Sequence, residues 1–195
     1  MSPTLSRTSS HSLALVALFA ALMAVLGLIP KIDLPGGVPI TAQSLGVMLA
    51  GCLLGPKRGF QAIALFLVAV AIGLPLLAGG RGGLGPFTSP SAGYLFGYAA
   101  SAFVIGLVMA SLPRATSATK TAINAFIASV VGGILFLHAA GIAGLMVLAK
   151  MPFNEALMID VAFVPGDLIK SVLCALVVHT VARALPDWPF AGRNR

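Results

Sequence analysis

Long apolar runs separated by short polar or glycine-rich turns set the pattern of this chain. Leu13 to Ile29 passes 17 positions without a charge, about the shortest length that crosses a hydrocarbon core roughly 30 Å thick. Comparable runs predict six membrane helices, at about 13–30, 40–55, 60–78, 92–112, 120–149 and 156–185. The fifth is uncharged from Thr121 to Ala149, which as one helix at 1.5 Å per residue is about 43 Å. Too long for an upright span and too short for two, it is expected to tilt or bend, with Gly132, Gly133, Gly141 and Gly144 permitting the bend. The third is expected to kink or end at Pro75. The sixth is expected to break at Pro165-Gly166 and restart as a helix that Asp167 caps and that runs to about Leu185.

Composition turns this pattern into a class. Of 195 residues 58% are hydrophobic and only 9% charged, against about 25% charged in soluble proteins, so residues 1–195 read as one all-α integral membrane domain whose surroundings are the lipid bilayer. The net charge of +7 does not point to nucleic acid, because the basic residues stand singly between apolar runs and report topology instead. Arg7, Lys57, Arg58, Arg114, Lys120, Arg183, Arg193 and Arg195 fall on one side, eight against the three of Lys31, Arg81 and Lys150. By the positive-inside rule both termini are then cytoplasmic. The first run ends in Pro30-Lys31 without a small-residue cleavage site, which favours a retained span over a signal peptide. Cys52 and Cys174 lie inside predicted spans with no metal or redox spacing, and read as small buried hydrophobes.

Ionisable residues inside a bilayer are costly, so they face a protein interior or a cavity and mark a site. Asp167 and Lys170, three apart on one helix face, are the first candidates; the competing reading is a structural ion pair that locks two helices. Thr41, Gln43 and Ser44 put polar side chains at the start of the second span. The stretch from Gly79 to Tyr94, with Gly79, Gly80, Arg81 and Phe87 in it, reads as a linker or as a lid whose backbone can approach a ligand closely. Tyr94 and Tyr98 share a face as a stacking wall or an interfacial belt. His138 reads more readily as a satisfied packing residue than as a ligand. The orientation puts Asp167, the glycine-rich loop and Gln43 on the same outward half, which raises a ligand site above a structural pair.

The sequence contains no ATP-binding motif, no nucleophile paired with a base and no Cys/His cluster with metal spacing. Neither an enzyme, a catalytic residue, a metal nor a cofactor is therefore expected, and the chain would not power transport alone. The residue set suits a small polar molecule with an apolar body: Asp167 can accept from N–H groups, and Lys170 or Arg81 can neutralise a carboxylate. Ala17, Ala20, Ala21 and Ala24 form a smooth stripe on the first helix, either internal packing or a docking face. Gly51 and Gly55 read as helix packing.

Pro39-Ile40-Thr41-Ala42-Gln43-Ser44-Leu45-Gly46, Leu53-Leu54-Gly55-Pro56-Lys57, Gly73-Leu74-Pro75 with Ala78-Gly79-Gly80, Gly93-Tyr94-Leu95-Phe96-Gly97 and Pro165-Gly166-Asp167-Leu168-Ile169-Lys170 together resemble the BioY family. Its members are the biotin-binding S components of energy-coupling factor transporters, and the likeness runs from about residue 13 to 185. It implies a six-helix bundle in the bacterial cytoplasmic membrane with an outward-facing biotin pocket, partnered by a transmembrane coupling protein and two ATPases. It also implies that Asp167, Lys170, Gln43, Tyr94, Gly79 and Gly80 frame biotin, with Arg81 as a further candidate, and that the alanine stripe docks the coupling protein. Self-association, another vitamin as ligand, and a small membrane assembly protein whose charges are structural stay open.

Overall fold

A computed structural model describes residues 4–33 and 38–192, with side chains from Ser10 to Ala191; Arg193 and Arg195 lie outside the described residues, as does the side chain of Arg7. The chain is a bundle of helices. In order come α1 (Thr4–Leu26), α2 (Gln43–Leu54), α3 (Pro56–Ala71), α4 (Ala92–Ser111), α5 (Ala118–Ala128), α6 (Leu137–Leu148), α7 (Phe153–Val161) and α8 (Val164–Ala184). A π-helical stretch, Ser129–Phe136, joins α5 to α6 without a break. Between α1 and α2 two short strands, β1 (Ile32–Asp33) and β2 (Pro39–Ile40), pair antiparallel with Ile32 opposite Ile40.

Among the described residues three helices are long and apolar enough to cross a membrane: α4, the continuous run from Ala118 to Leu148, and α8. The apolar part of α1 from Ser10 and the whole of α2 are shorter. Leu18, Leu28, Ile72, Val147 and Met158 point outward while Gln43, Asp160 and Asp167 are buried. That inversion of a water-soluble surface fits a protein dissolved in lipid.

Two boundaries differ from the sequence expectation, each for a local reason. The third helix stops at Ala71, before both Pro75, where a kink or end is expected, and the expected limit near residue 78, because Gly73 takes a left-handed φ of 110° and turns the backbone back. The last segment breaks at Ala162-Phe163 and not at Pro165-Gly166. Proline's missing N–H costs nothing in a helix's first turn, so Pro165 starts α8 instead of interrupting it. Asp167 is accordingly no cap: its own N–H donates to the Phe163 carbonyl at 3.0 Å, which leaves its side chain to point inward.

Glycine explains the tight packing more than it explains bending. A Cβ on Gly93 would lie 2.6 Å from the Cα of Gly144, and one on Gly132 would lie 2.4 Å from Ile105, so α4 touches the long helix almost backbone to backbone. Gly51 does the same for α2 against α4, at 2.6 Å from Ile105. The long helix widens into π geometry where Gly132 and Gly133 press on Ile105 and Met48. Ser101 donates to the Gly132 carbonyl at 2.8 Å, which satisfies a backbone group within that stretch.

Candidate functional site

Five helices converge on one buried polar chain. Asp167, in the first turn of α8, accepts through Oδ1 from Lys170 Nζ at 2.8 Å and from Ser44 Oγ at 3.0 Å. Lys170, one turn later on the same face, also donates to Ser44 Oγ at 3.0 Å. Oδ2 of Asp167 meets His138 Nε2 at 3.0 Å. The other ring nitrogen, Nδ1, meets Oδ2 of Asp160 at 2.9 Å, and Asp160 Oδ1 accepts from the Tyr94 hydroxyl at 2.7 Å. The chain thus runs from Tyr94 on α4 through Asp160 on α7 and His138 on α6 to Asp167 and Lys170 on α8, with Ser44 of α2 closing it. Every buried side-chain N and O among the described residues has a partner, as a polar group shut away from water requires.

A cavity opens onto this chain. Thr41, Ser44, Tyr94, Tyr98, His138, Asp167 and Lys170 give it polar groups, and Val38, Ile40, Leu77, Leu95, Leu137 and Phe163 give it apolar walls. The Tyr94 and Phe163 rings pack at 5.8 Å between centroids. Arg81 also lines it, and its Nε donates to the Ala78 carbonyl at 3.4 Å. Among the described residues no carboxylate pairs with this guanidinium. Convergent polar groups set among apolar walls are the usual make-up of a small-molecule site. Among the described residues no cluster of His, Cys, Asp or Glu has the arrangement to hold a metal ion.

The sequence candidates divide by where they fall. Asp167, Lys170, Tyr94, Arg81 and Gln43 all line this cavity. Gln43, only 1% exposed, spends its amide on the protein: Nε2 donates to the carbonyls of Met23 and Leu76, both at 3.0 Å, and Oε1 accepts from the Ala78 N–H at 3.3 Å. Both its donors are occupied, so it ties α1 to the 76–78 segment. Gly79 and Gly80 are not on the cavity wall but on a separate outer groove with Ala24, Pro30, Lys31 and Pro75. Their φ values of 80° and 69° form the turn that pairs Leu77 with Arg81, and through it they set those two residues on the cavity. Further along, Pro86 and Ser91 line the cavity too, and Phe87 packs on Phe96 at 5.7 Å between ring centroids, so the glycine-rich loop lies against the site.

Asp160 is the member that the sequence reading passed over, and His138 is the one it set down as packing. The signal for Asp160 was present: a carboxylate seven positions before Asp167 in the same apolar segment, subject to the same cost argument. On α1, Ala17 and Ala21 are exposed and Ala20 and Ala24 half-buried. The stripe therefore faces partly outward.

Comparison with known proteins agrees with this arrangement. The chain is 46% identical over 183 residues to the "Biotin transporter BioY" of Rhizobium etli, covering 93% of this chain and 98% of that one. It is 46% identical over 186 residues to the protein of the same name from Rhodobacter capsulatus, covering 91% and 96%. The fold is similar, with a TM-score of 0.79 and 30% identity over 94% of this chain and 95% of the other, to the crystal structure of the S-component for biotin from an ECF-type ABC transporter. A model of the BioY family matches residues 1–187, so a match over nearly the whole length, on a bundle that buries its ionisable residues around a cavity, means that this chain belongs to the BioY family.

Proposed function

We propose that this protein is the substrate-binding subunit of an energy-coupling factor transporter and takes up biotin across the cytoplasmic membrane. The observation that carries the reading is the cavity walled by Tyr94, Phe163 and aliphatic side chains, with the Asp167–Lys170 pair at its polar end, in a member of this family. Biotin's fused urea ring offers two N–H donors and a carbonyl acceptor; Asp167 and Lys170 supply the complementary acceptor and donor. Arg81, with no carboxylate of the described residues beside it, suits the carboxylate at the far end of the ligand. Gln43, Gly79 and Gly80 then act by holding the walls, and Tyr94 by flanking the ring. In this reading six helices cross the membrane with both termini inside, and a transmembrane coupling protein with two ATPases supplies the energy. The outward alanines of α1, with Ala20 and Ala24 at the edge, receive that coupling protein.

Binding of radiolabelled biotin to the purified, detergent-solubilised protein tests the assignment, and a folded protein that binds none rejects it. Charge-assisted hydrogen bonds contribute about 1.5–3 kcal/mol each, so Asp167→Asn is expected to weaken binding by roughly tenfold to a hundredfold. Were the pair merely structural, the same change would strand Lys170 as a buried charge and cost about 3–5 kcal/mol of stability. Affinity and melting temperature are therefore read together: a folded Asp167→Asn protein with unaltered affinity removes Asp167 from the ligand's contacts.

A further inference from the structure

His138 stands between two carboxylates, and counting hydrogens fixes the charge of that trio without assigning any of them to an atom. Each of the contacts His138 Nδ1 to Asp160 and His138 Nε2 to Asp167 joins two groups that are lone-pair acceptors unless a hydrogen lies between them. Two hydrogens are thus shared among one imidazole and two carboxylates, which gives the trio a charge of minus one. Lys170, on Asp167 at 2.8 Å, carries plus one. The whole cluster is neutral, as a buried set in a low-dielectric interior needs to be. The other titratable or charged groups facing it are Tyr94 from α4, whose hydroxyl donates to Asp160, with Tyr98 and Arg81 elsewhere on the cavity wall.

We propose that His138 and Asp160 are positioning residues for the ligand: the imidazole occupies Oδ2 of Asp167 and, by sharing Asp160's charge, keeps Asp167 an acceptor toward the cavity. The proposal rests on the biotin reading above. Without the imidazole, two carboxylates face one ammonium, and the buried excess is relieved when a carboxyl takes up a proton. A protonated Asp167 presents O–H where a ligand N–H needs an acceptor. Asp160 has no role in this scheme except as the second charge, so removing that charge should repair what removing His138 damages. A pair that mattered only for packing would behave in the opposite way, since two truncated contacts are worse than one.

The test is a double-mutant cycle in biotin affinity on purified full-length protein, with melting temperature in parallel. His138→Ala is expected to weaken binding about tenfold or more, and Asp160→Asn by less. The double variant is expected to bind at least about threefold more tightly than His138→Ala alone. A double variant as weak as His138→Ala, or weaker, overturns the proposal. If His138→Ala does not yield folded protein, His138→Gln, which leaves the same charge excess, replaces it. If neither single variant folds, recovery of folded, biotin-binding protein on adding Asp160→Asn is the same rescue, and its absence counts against the proposal. If wild type itself binds no biotin, the ligand assignment has failed; the charge argument then stands or falls on whether the double variant melts above His138→Ala.

Discussion

Tyr94 can reach Asp160 because residue 141 has no side chain. A Cβ at Gly141 would sit 2.0 Å from the Tyr94 ring, inside any tolerable contact, so Gly141→Ala must displace the ring and break its 2.7 Å hydrogen bond to Asp160. Overpacking of this kind costs about 1–3 kcal/mol, and the variant is expected to melt lower and bind biotin more weakly. Adding Tyr94→Ala should return part of the lost melting temperature, because the clash has then gone; a Gly141→Ala protein that melts like wild type would mean the ring does not rest there. At this scale sequence and structure part company in an instructive way. Asp167 and Lys170 were legible, since two charges in one apolar turn stand out. Gly141 was not, because its use is steric and lies against a residue 47 positions away. His138 was undervalued because its two partners, 22 and 29 residues off, meet it only after α7 and α8 have folded back.

Among the elements, the short helix α7 changes most between pattern and fold. Hydropathy merges residues 156–185 into one span, yet the chain breaks after Val161 and uses α7 to bring Asp160 over the cavity. Periodicity cannot see this, because both halves are apolar and the break carries no proline of its own. The long fifth run is continuous from Ala118 to Leu148; its glycines serve contact with α4 and α2, and its irregularity is a widened turn. On α1 the stripe separates into exposed Ala17 and Ala21 and half-buried Ala20 and Ala24. Ala17→Leu or Ala21→Leu adds bulk only on the outside, so biotin binding should hold while uptake, or co-purification with the coupling protein, falls severalfold. Loss of binding in those variants would return the stripe to internal packing.

For the molecule as a whole, charge and site separate toward opposite ends. Arg114 lines a groove with Trp188 and Phe190, and Trp188 donates to the Leu53 carbonyl at 3.0 Å, close in sequence to the start of α3 that bears Lys57 and Arg58. Arg81 lies at the cavity and Lys31 in the groove beside it. In the orientation proposed above, the basic end faces the cytoplasm and the cavity faces outward. A reporter fused after the C-terminus should report from the inside; an external signal would reverse the proposed direction of binding. The amide of Gln43 has a mechanical meaning for such a machine. It welds the C-terminal end of α1 to the segment before Arg81 by three hydrogen bonds, each worth about 0.5–1.5 kcal/mol net. A force that tilts α1 therefore cannot stop at α1: it either drags one wall of the cavity along as a rigid lever or has to snap that weld first.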